Sequence, residues 1–528
     1  MTVGIFFNTT FGDLLELFHP FPIRGDVEKA VQTPESVSSA ELPSPTTTVK
    51  LAASDVPVVD WTDDDDPEKP INWTTTKKLR TTIMLMILTF SIYIGSSIYT
   101  PGTQQIATYF NVSPLVVTIG LTLYVFGYGA GPMFWAPVGE LTKVGRNPVY
   151  VWTLLLFGLL QIPTALAPNI GTLLSMRLLG GFVASPALAI PGASFSEMYA
   201  PRHRAYAITF WGMSAVLGPV LGPIIGGYAF QTYDWRFPFW ILMVLAGFAF
   251  VCLFFLLPET AGSNILTRRA RRLRGQGHQV RSVGELASEG RSTAGQIRFS
   301  IKHTFVLTLT EPMVFAFNLY IALCYGVLYI WFESFVDVFI NMYHFSVGSE
   351  GLAFLGILVG ALITCLLFLL YLKYYLVKKF DATGALYPPE LRLHAGMFGS
   401  FFIPLTLFMF GWTAKANIPW IVPIIATAFF PMGIFLAFQS ALNYLADVYP
   451  MDAWAVFSSN AFFRSCFGAA FPLFANAMFG RLGVDWGSSL LGFISVAMII
   501  IPFGLYWFGA SVRRQSTRAR TYPNEQKA

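Results

Sequence analysis

The chain has 528 residues, 54% hydrophobic and 12% charged, with a net charge of +5 and a mean hydropathy of +0.57. A soluble protein of this length carries about twice that charged fraction, so the composition excludes an ordinary water-soluble enzyme. The excess positive charge falls in a subset of loops, which assigns it to topology and anionic lipid and leaves no support for a nucleic-acid partner.

In chain order, residues 1–76 come first and are expected to form a disordered cytoplasmic tail. The opening "MTVGIFFNTTFGDLLELFHPF" lacks a basic n-region and is interrupted by Asp13 and Glu16, so it is not read as a signal peptide. Residues 33–58 are rich in Ser, Thr and Pro, and "DDDD" follows at 63–66. After residue 80, apolar runs long enough to cross a bilayer as helix recur along the chain. Twelve are read, centred on 81–100, 115–136, 148–167, 171–190, 206–229, 236–257, 313–335, 351–375, 395–413, 419–443, 453–478 and 488–510. Six runs, a polar loop and six more predict two related bundles: 77–260 and 311–511, joined by a basic linker over 261–310, with a tail over 512–528.

Basic residues set the expected orientation. Lys77, Lys78 and Arg80 precede span 1, and Lys143 and Arg146 follow span 2. Arg202 and Arg204 follow span 4, "RRARRLR" (268–274) lies in the linker, and Arg513 and Arg514 follow span 12. The alternate loops hold only Arg236, Lys415 and Arg481. Both termini are therefore expected in the cytoplasm. The four cysteines (Cys252, Cys324, Cys365, Cys466) fall inside predicted spans, with neither disulfide nor metal-ligand spacing.

Four features stand out from this apolar background. The loop after span 2, "APVGELTKVGRNPVY", holds Glu140, Lys143 and Arg146 beside Gly145, a turn residue, and Pro148, a helix starter. Arg177 in span 4 faces a cavity or snorkels to the surface, and Arg464 sits deeper, within span 11. Span 5, "WGMSAVLGPVLGPIIGGY", sets Gly218, Gly222 and Gly226 on one helix face for close backbone approach. Pro219 and Pro223 beside them each remove a hydrogen bond and bend the helix, and Gly212 and Gly227 flank the pattern. Glu333 is the one acid in the interior of span 7, with Asp337 a turn later; a buried carboxylate suits proton uptake and release, or serves as a structural partner. Phe332, Trp331 and Tyr325 either line an apolar cavity or pack in the core. Asn111, in "NVS", is a glycosylation sequon close to span 2; Asn8 and Asn72 are sequons on the cytoplasmic side.

"GELTKVGRNPVY", "RLLGGF" and "GMSAVLGPVLGPIIGGY" resemble three signature motifs of the major facilitator superfamily, the last being that of its twelve-span drug:proton antiporters. "DDDDPEKPINW", "SSIYTPG", "LPET", "LYIWFESF", "GLAFLGILVG" and "FGWTA" are similar to the fungal cycloheximide- and caffeine-resistance type of multidrug exporter. The likeness covers about 60–510. It implies an all-helical fold of two six-helix bundles and proton-coupled efflux of amphipathic drugs, fungicides or an endogenous toxin by alternating access. It further implies that Glu140 and Arg146 lock the two halves, that Arg177 modulates proton coupling, and that the span 5 helix packs against the other half. Asn147, Gly180 and Val336 stand where the family usually has a basic residue, glutamine and proline, and Asp337 where it usually has no acid.

The expected partners are a hydrophobic or amphipathic small molecule, protons and the bilayer, for a monomer in the cell membrane or, alternatively, the vacuolar membrane. No cofactor, metal or enzymatic activity is expected; the energy source is the proton gradient. The six histidines lie in tails and loops, and no Walker-type loop is present. A nutrient importer of the same fold is the alternative function.

Overall fold

The computed structural model describes residues 8–16, 31–32, 57–287, 292–383, 388–516 and 518–520. Eleven helices among them are long and apolar enough to cross a membrane: Thr75–Phe110, Pro114–Glu140, Arg146–Ala165, Ile170–Met198, Pro201–Thr232, Phe237–Leu256, Pro312–Met342, Val347–Ala382, Pro389–Thr413, Ile421–Val448 and Ala453–Gln515. The first ten are spans 1–10. The last, at 63 residues, would reach about 95 Å if straight, some three times a hydrocarbon core. It is not straight. Gly483 (φ 75°, ψ 167°) breaks it, and its two ends meet: Tyr449 Oη, just before it, donates to Glu311 at 2.8 Å, and Ser516 Oγ, just after it, donates to the same carboxylate at 3.1 Å. Segments 453–482 and 484–515 are thus antiparallel spans 11 and 12, matching the two runs expected there.

Local chemistry places the boundaries. Pro114, Pro201 and Pro312 open their helices at the first position, where a missing N–H costs nothing. Asn169 caps span 4 through Thr172 N (2.8 Å). Most spans carry their large side chains into one continuous core, with Tyr93, Tyr124, Tyr128, Trp211, Trp331 and Phe410 among the buried residues, while Phe248, Leu366, Leu367, Phe493 and Trp507 stay exposed, as a lipid-facing surface requires.

Beyond the bundles, the described parts of the expected tail are structured. Strand β2 (Val58–Val59) pairs antiparallel with β1 (Val31–Gln32) and parallel with β3 (Arg281–Ser282) of the linker. Asp66 and Glu68 are buried against the linker helix Gly262–Gly275: Arg269 meets Asp66 at 2.8 Å and Glu68 at 3.4 Å, and Arg272 meets Glu68 at 3.1 Å. Asp66 and Glu68 at the end of the acidic stretch are therefore partners of Arg269 and Arg272 in the basic run, and the expectation of disorder fails over 57–76. Residues 1–7, 17–30 and 33–56 lie outside the described residues. Likewise span 12 extends past 511, with Arg513 paired to Glu390.

Candidate functional site

At the end of the bundles that carries the linker, Arg146 is the hub of the 2–3 loop. Its guanidinium meets Glu140 and Glu197, each at 2.7 Å. Its backbone N–H and that of Asn147 donate to the two oxygens of Glu259 (3.2 and 3.1 Å), a carboxylate capping a helix start as the macrodipole favours. Gly145 precedes with φ 82°, and a Cβ there would lie 2.3 Å from Glu259 Oε2; conformation and space both demand glycine. Asn147, where a second basic residue was expected, hydrogen-bonds Thr10 and the Leu257 carbonyl. Lys143 is exposed. Every partner of Arg146 lies in the N-terminal bundle, so the implied lock between halves is not made by Glu140 and Arg146. Arg204, at the start of span 5, takes that place by pairing with Asp447 at the end of span 10, which also receives Arg392 Nε at 2.9 Å. Arg202 adds a more exposed pair with Asp381 (2.8 Å).

Span 5 uses two faces. A Cβ on Gly218 would lie 2.6 Å from Tyr93 Cβ; on Gly222, 1.9 Å from Ser97 Oγ; on Gly226, 2.3 Å from the Ile98 carbonyl. The glycine stripe is thus a seam with span 1 inside the N-terminal bundle, not with the other half. Contact with the other half comes from the flanking positions: Gly212 against Gln439 of span 10, Gly227 against the Val347 carbonyl, and the Pro223 carbonyl against Gly351 of span 8. Gly348 N donates to Gln231 Oε1 (2.9 Å) across the same seam. Pro219 turns toward the interior.

Between the bundles lies an apolar cavity of about 60 Å³, lined by Tyr93, Gly212, Val216, Pro219, Leu328, Phe435 and Phe438, with Tyr325 and Arg464 as further polar members. Trp331 does not line it; it packs on Phe410 and Phe430 in the C-terminal core (5.6 and 4.6 Å between centroids), and the Phe332 side chain lies outside the described set. Beside the cavity a buried hydroxyl network crosses the halves: Tyr128 Oη meets Tyr325 Oη (2.6 Å) and Tyr329 Oη (2.8 Å), and Tyr329 Oη donates to Ser96 Oγ (3.0 Å). Arg177 is buried and does not snorkel. It donates to the carbonyls of Gly95 (2.7 Å) and Gly120 (3.2 Å) and lies over the rings of Tyr99 and Tyr124.

The sequence profile described as Major Facilitator Superfamily matches residues 85–472. The chain belongs to the Major Facilitator Superfamily. It is 40% identical to Transporter mfs1 of Schizosaccharomyces pombe, over 97% of this chain and 99% of that one. It is 40% identical to the Cycloheximide resistance protein of Candida maltosa (88% and 87%) and 38% identical to the citrinin biosynthesis cluster MFS transporter mrr1 of Monascus ruber (88% and 93%). In fold it resembles the proton:xylose symporter XylE of E. coli, with a TM-score of 0.60 at 14% identity over 82% of this chain and 97% of that one.

In this superfamily member the far end of the bundles carries three further acids, Glu333, Asp337 and Glu350. Glu333 accepts from Asn476 Nδ2 (3.2 Å) and reaches Thr118 of the opposite half (3.5 Å). Asp337 lies in the first turn of a π-helical stretch, Val336–Met342, and accepts from Asn341 (3.1 Å). Glu350 in span 8 is 2% exposed, and its carboxylate forms no hydrogen bond or ion pair among the described residues. Sequence reading missed it because it lies one residue before the expected span 8 (351–375); the glycines at 348 and 351 were the available signal, since both mark backbone-close packing. Asp447 was missed for the same reason, lying at a span end. Asn111 is exposed and left-handed (φ 52°) at the end of the helix Thr103–Phe110. Among the described residues, no group of three His, Cys, Asp or Glu could hold a metal.

Proposed function

We propose that the chain exports amphipathic small molecules from the cytoplasm across the cell membrane, driven by proton entry. One observation carries the reading: an apolar cavity lies between two bundles that are fastened differently at their two ends. Arg204–Asp447 ties the linker end, taken as cytoplasmic from its basic residues, while backbone contacts of Gly227 and Gly348 close the far end. Opening one seam while the other holds is alternating access around a fixed site. The resistance and biosynthetic-cluster names of the relatives support export of a drug or of the cell's own metabolite. A sugar importer is disfavoured: among the described residues, Tyr93, Tyr325 and Arg464 are the only polar side chains lining the cavity, too few for a polyol.

Glu333 and Glu350 are the carboxylates proposed to carry the proton, with Asp337 beside the first and Arg177 modulating. Glu350 is the sharper case, because an ionised carboxylate with no partner at 2% exposure is costly. Of the elements packed against it, span 5 brings Tyr228 and the π-helical stretch brings Asp337, with Tyr343 and His344 in the turn between; none of these pairs with it among the described residues. Parting the far-end seam would hydrate it and release its proton. The test is efflux of a fluorescent amphipathic dye from cells expressing the chain, with and without a protonophore. Export that collapses with the gradient is expected; export indifferent to it overturns proton coupling, and net uptake overturns the direction.

A further inference from the structure

Arg464 lies on span 11 at the wall of the central cavity, and it is 4% exposed. Its Nη2 donates to Tyr93 Oη at 2.7 Å, and its plane stands about 5 Å from the rings of Tyr325 and Phe438. Its Nε has no hydrogen-bond partner. No carboxylate among the described residues pairs with it, and none lines the cavity. Arg177, the other arginine buried at this depth, is likewise held by carbonyls and ring faces rather than by an acid. The acids of the far end, Glu333 and Glu350, do not reach either guanidinium.

The wall of the central cavity therefore holds fixed positive charge without a counter-ion among the described residues. A guanidinium cannot shed its charge as an amine can. Ring faces offset part of the desolvation cost, and Nε is left facing an apolar wall. A ligand that brings a carbonyl, phenolate or carboxylate to this wall supplies the missing acceptor, while the aromatic lining takes its apolar body. A ligand that brings an ammonium meets uncompensated like charge in a medium that screens it poorly.

We propose that Arg464 makes the central cavity a site for amphipathic molecules that are anionic or rich in hydrogen-bond acceptors, and that it excludes lipophilic cations. The inference rests on the export reading for the role of the cavity, but it concerns recognition alone. This sets the chain apart from a pump for cationic dyes, which needs a carboxylate in the cavity.

The experiment uses the purified full chain in lipid nanodiscs and three probes sharing one ring system: 1-naphthylacetate, 1-naphthylacetamide and 1-naphthylmethylammonium. Binding is measured at equilibrium, without a gradient. The acetate is expected to bind at least about tenfold tighter than the ammonium, a difference of about 1.4 kcal/mol, with the amide between them. Arg464→Lys keeps the charge and should keep the order with a narrower spread. Arg464→Gln should bring acetate and ammonium within about threefold of each other. Equal or tighter binding of the ammonium by the unaltered chain overturns the proposal, as does binding of none of the three, or an acetate preference that survives Arg464→Gln. The first two readouts need no variant to fold. Should the order hold while cells show no efflux, the export reading fails and this inference stands.

Discussion

Asp447 at the end of span 10 receives two arginines, Arg204 from the N-terminal bundle and Arg392 from its own. All three side chains are largely withdrawn from water, at 11%, 7% and 3% exposure. Removing the shared acid takes the carboxylate from two buried cations, and breaking such a pair costs about 3–5 kcal/mol. Asp447→Asn is therefore expected to loosen the linker end specifically. Hydrogen exchange of the backbone around 201–206 and 445–449 should accelerate at least about tenfold, with the far end unchanged. Uniform acceleration through both bundles would mean that the pair supports the fold and not a gate.

The two faces of span 5 make separable predictions. Gly222→Ala puts a Cβ into Ser97 and the Ile98 backbone within one bundle, and overpacking of this kind costs about 1–3 kcal/mol. A lowered melting temperature is expected. Gly227→Ala presses on the Val347 carbonyl across the halves. That substitution should instead favour the state with the far end open, raising the labelling of a cysteine placed at Gln231. Equal loss of melting temperature in both variants would erase the distinction between an internal seam and a gate.

What the sequence revealed, and what it hid, follows from the range of the interactions. Each span is legible because twenty apolar residues in a row have one solution in lipid. The glycine spacing of span 5 was legible as a packing face, but not its partner: a four-residue repeat states that a backbone comes close, not which one. Asp66 and Arg269 are 203 positions apart, and each sits in a run of like charges. Such runs ordinarily stay solvated, so nothing local announced that these two neutralise each other under a linker helix. Glu350 lay hidden at a span boundary, where an acid is commonplace.

Glu350→Gln tests that residue directly. The amide is isosteric and carries no charge to desolvate, so the variant should fold and insert at least as well as the parent, within about 0.5 kcal/mol. Because glutamine cannot release a proton, pH-driven transport should fall at least about tenfold while ligand binding persists. Glu333→Gln is the matched control, since Glu333 already has Asn476 and Thr118 as partners. If Glu333→Gln abolishes coupling and Glu350→Gln leaves it intact, the proton resides at Glu333 and Glu350 is a packing acid. Transport unaffected by either change would remove both from the mechanism.

The clasp between the N-terminal segment and the linker has a pH dependence of known sign. Burial pushes the Asp66 carboxyl up, but the Arg269 side chain and the Thr62 and Glu68 backbone N–H groups outweigh it and hold the group below its ordinary 3.8. A carboxylate depressed on folding adds stability that is complete above its unfolded value and is lost as pH falls through the folded one. The clasp should therefore stay closed from neutral pH down to about 5 and loosen only below about 4. Asp66→Asn removes the charge at every pH and takes from buried Arg269 the nearer of the two carboxylates it meets. In that variant limited proteolysis within 276–287 should occur at neutral pH, at a rate that the parent chain reaches only in acid. Cleavage of the parent already at pH 6 would show that Asp66 does not hold the segment.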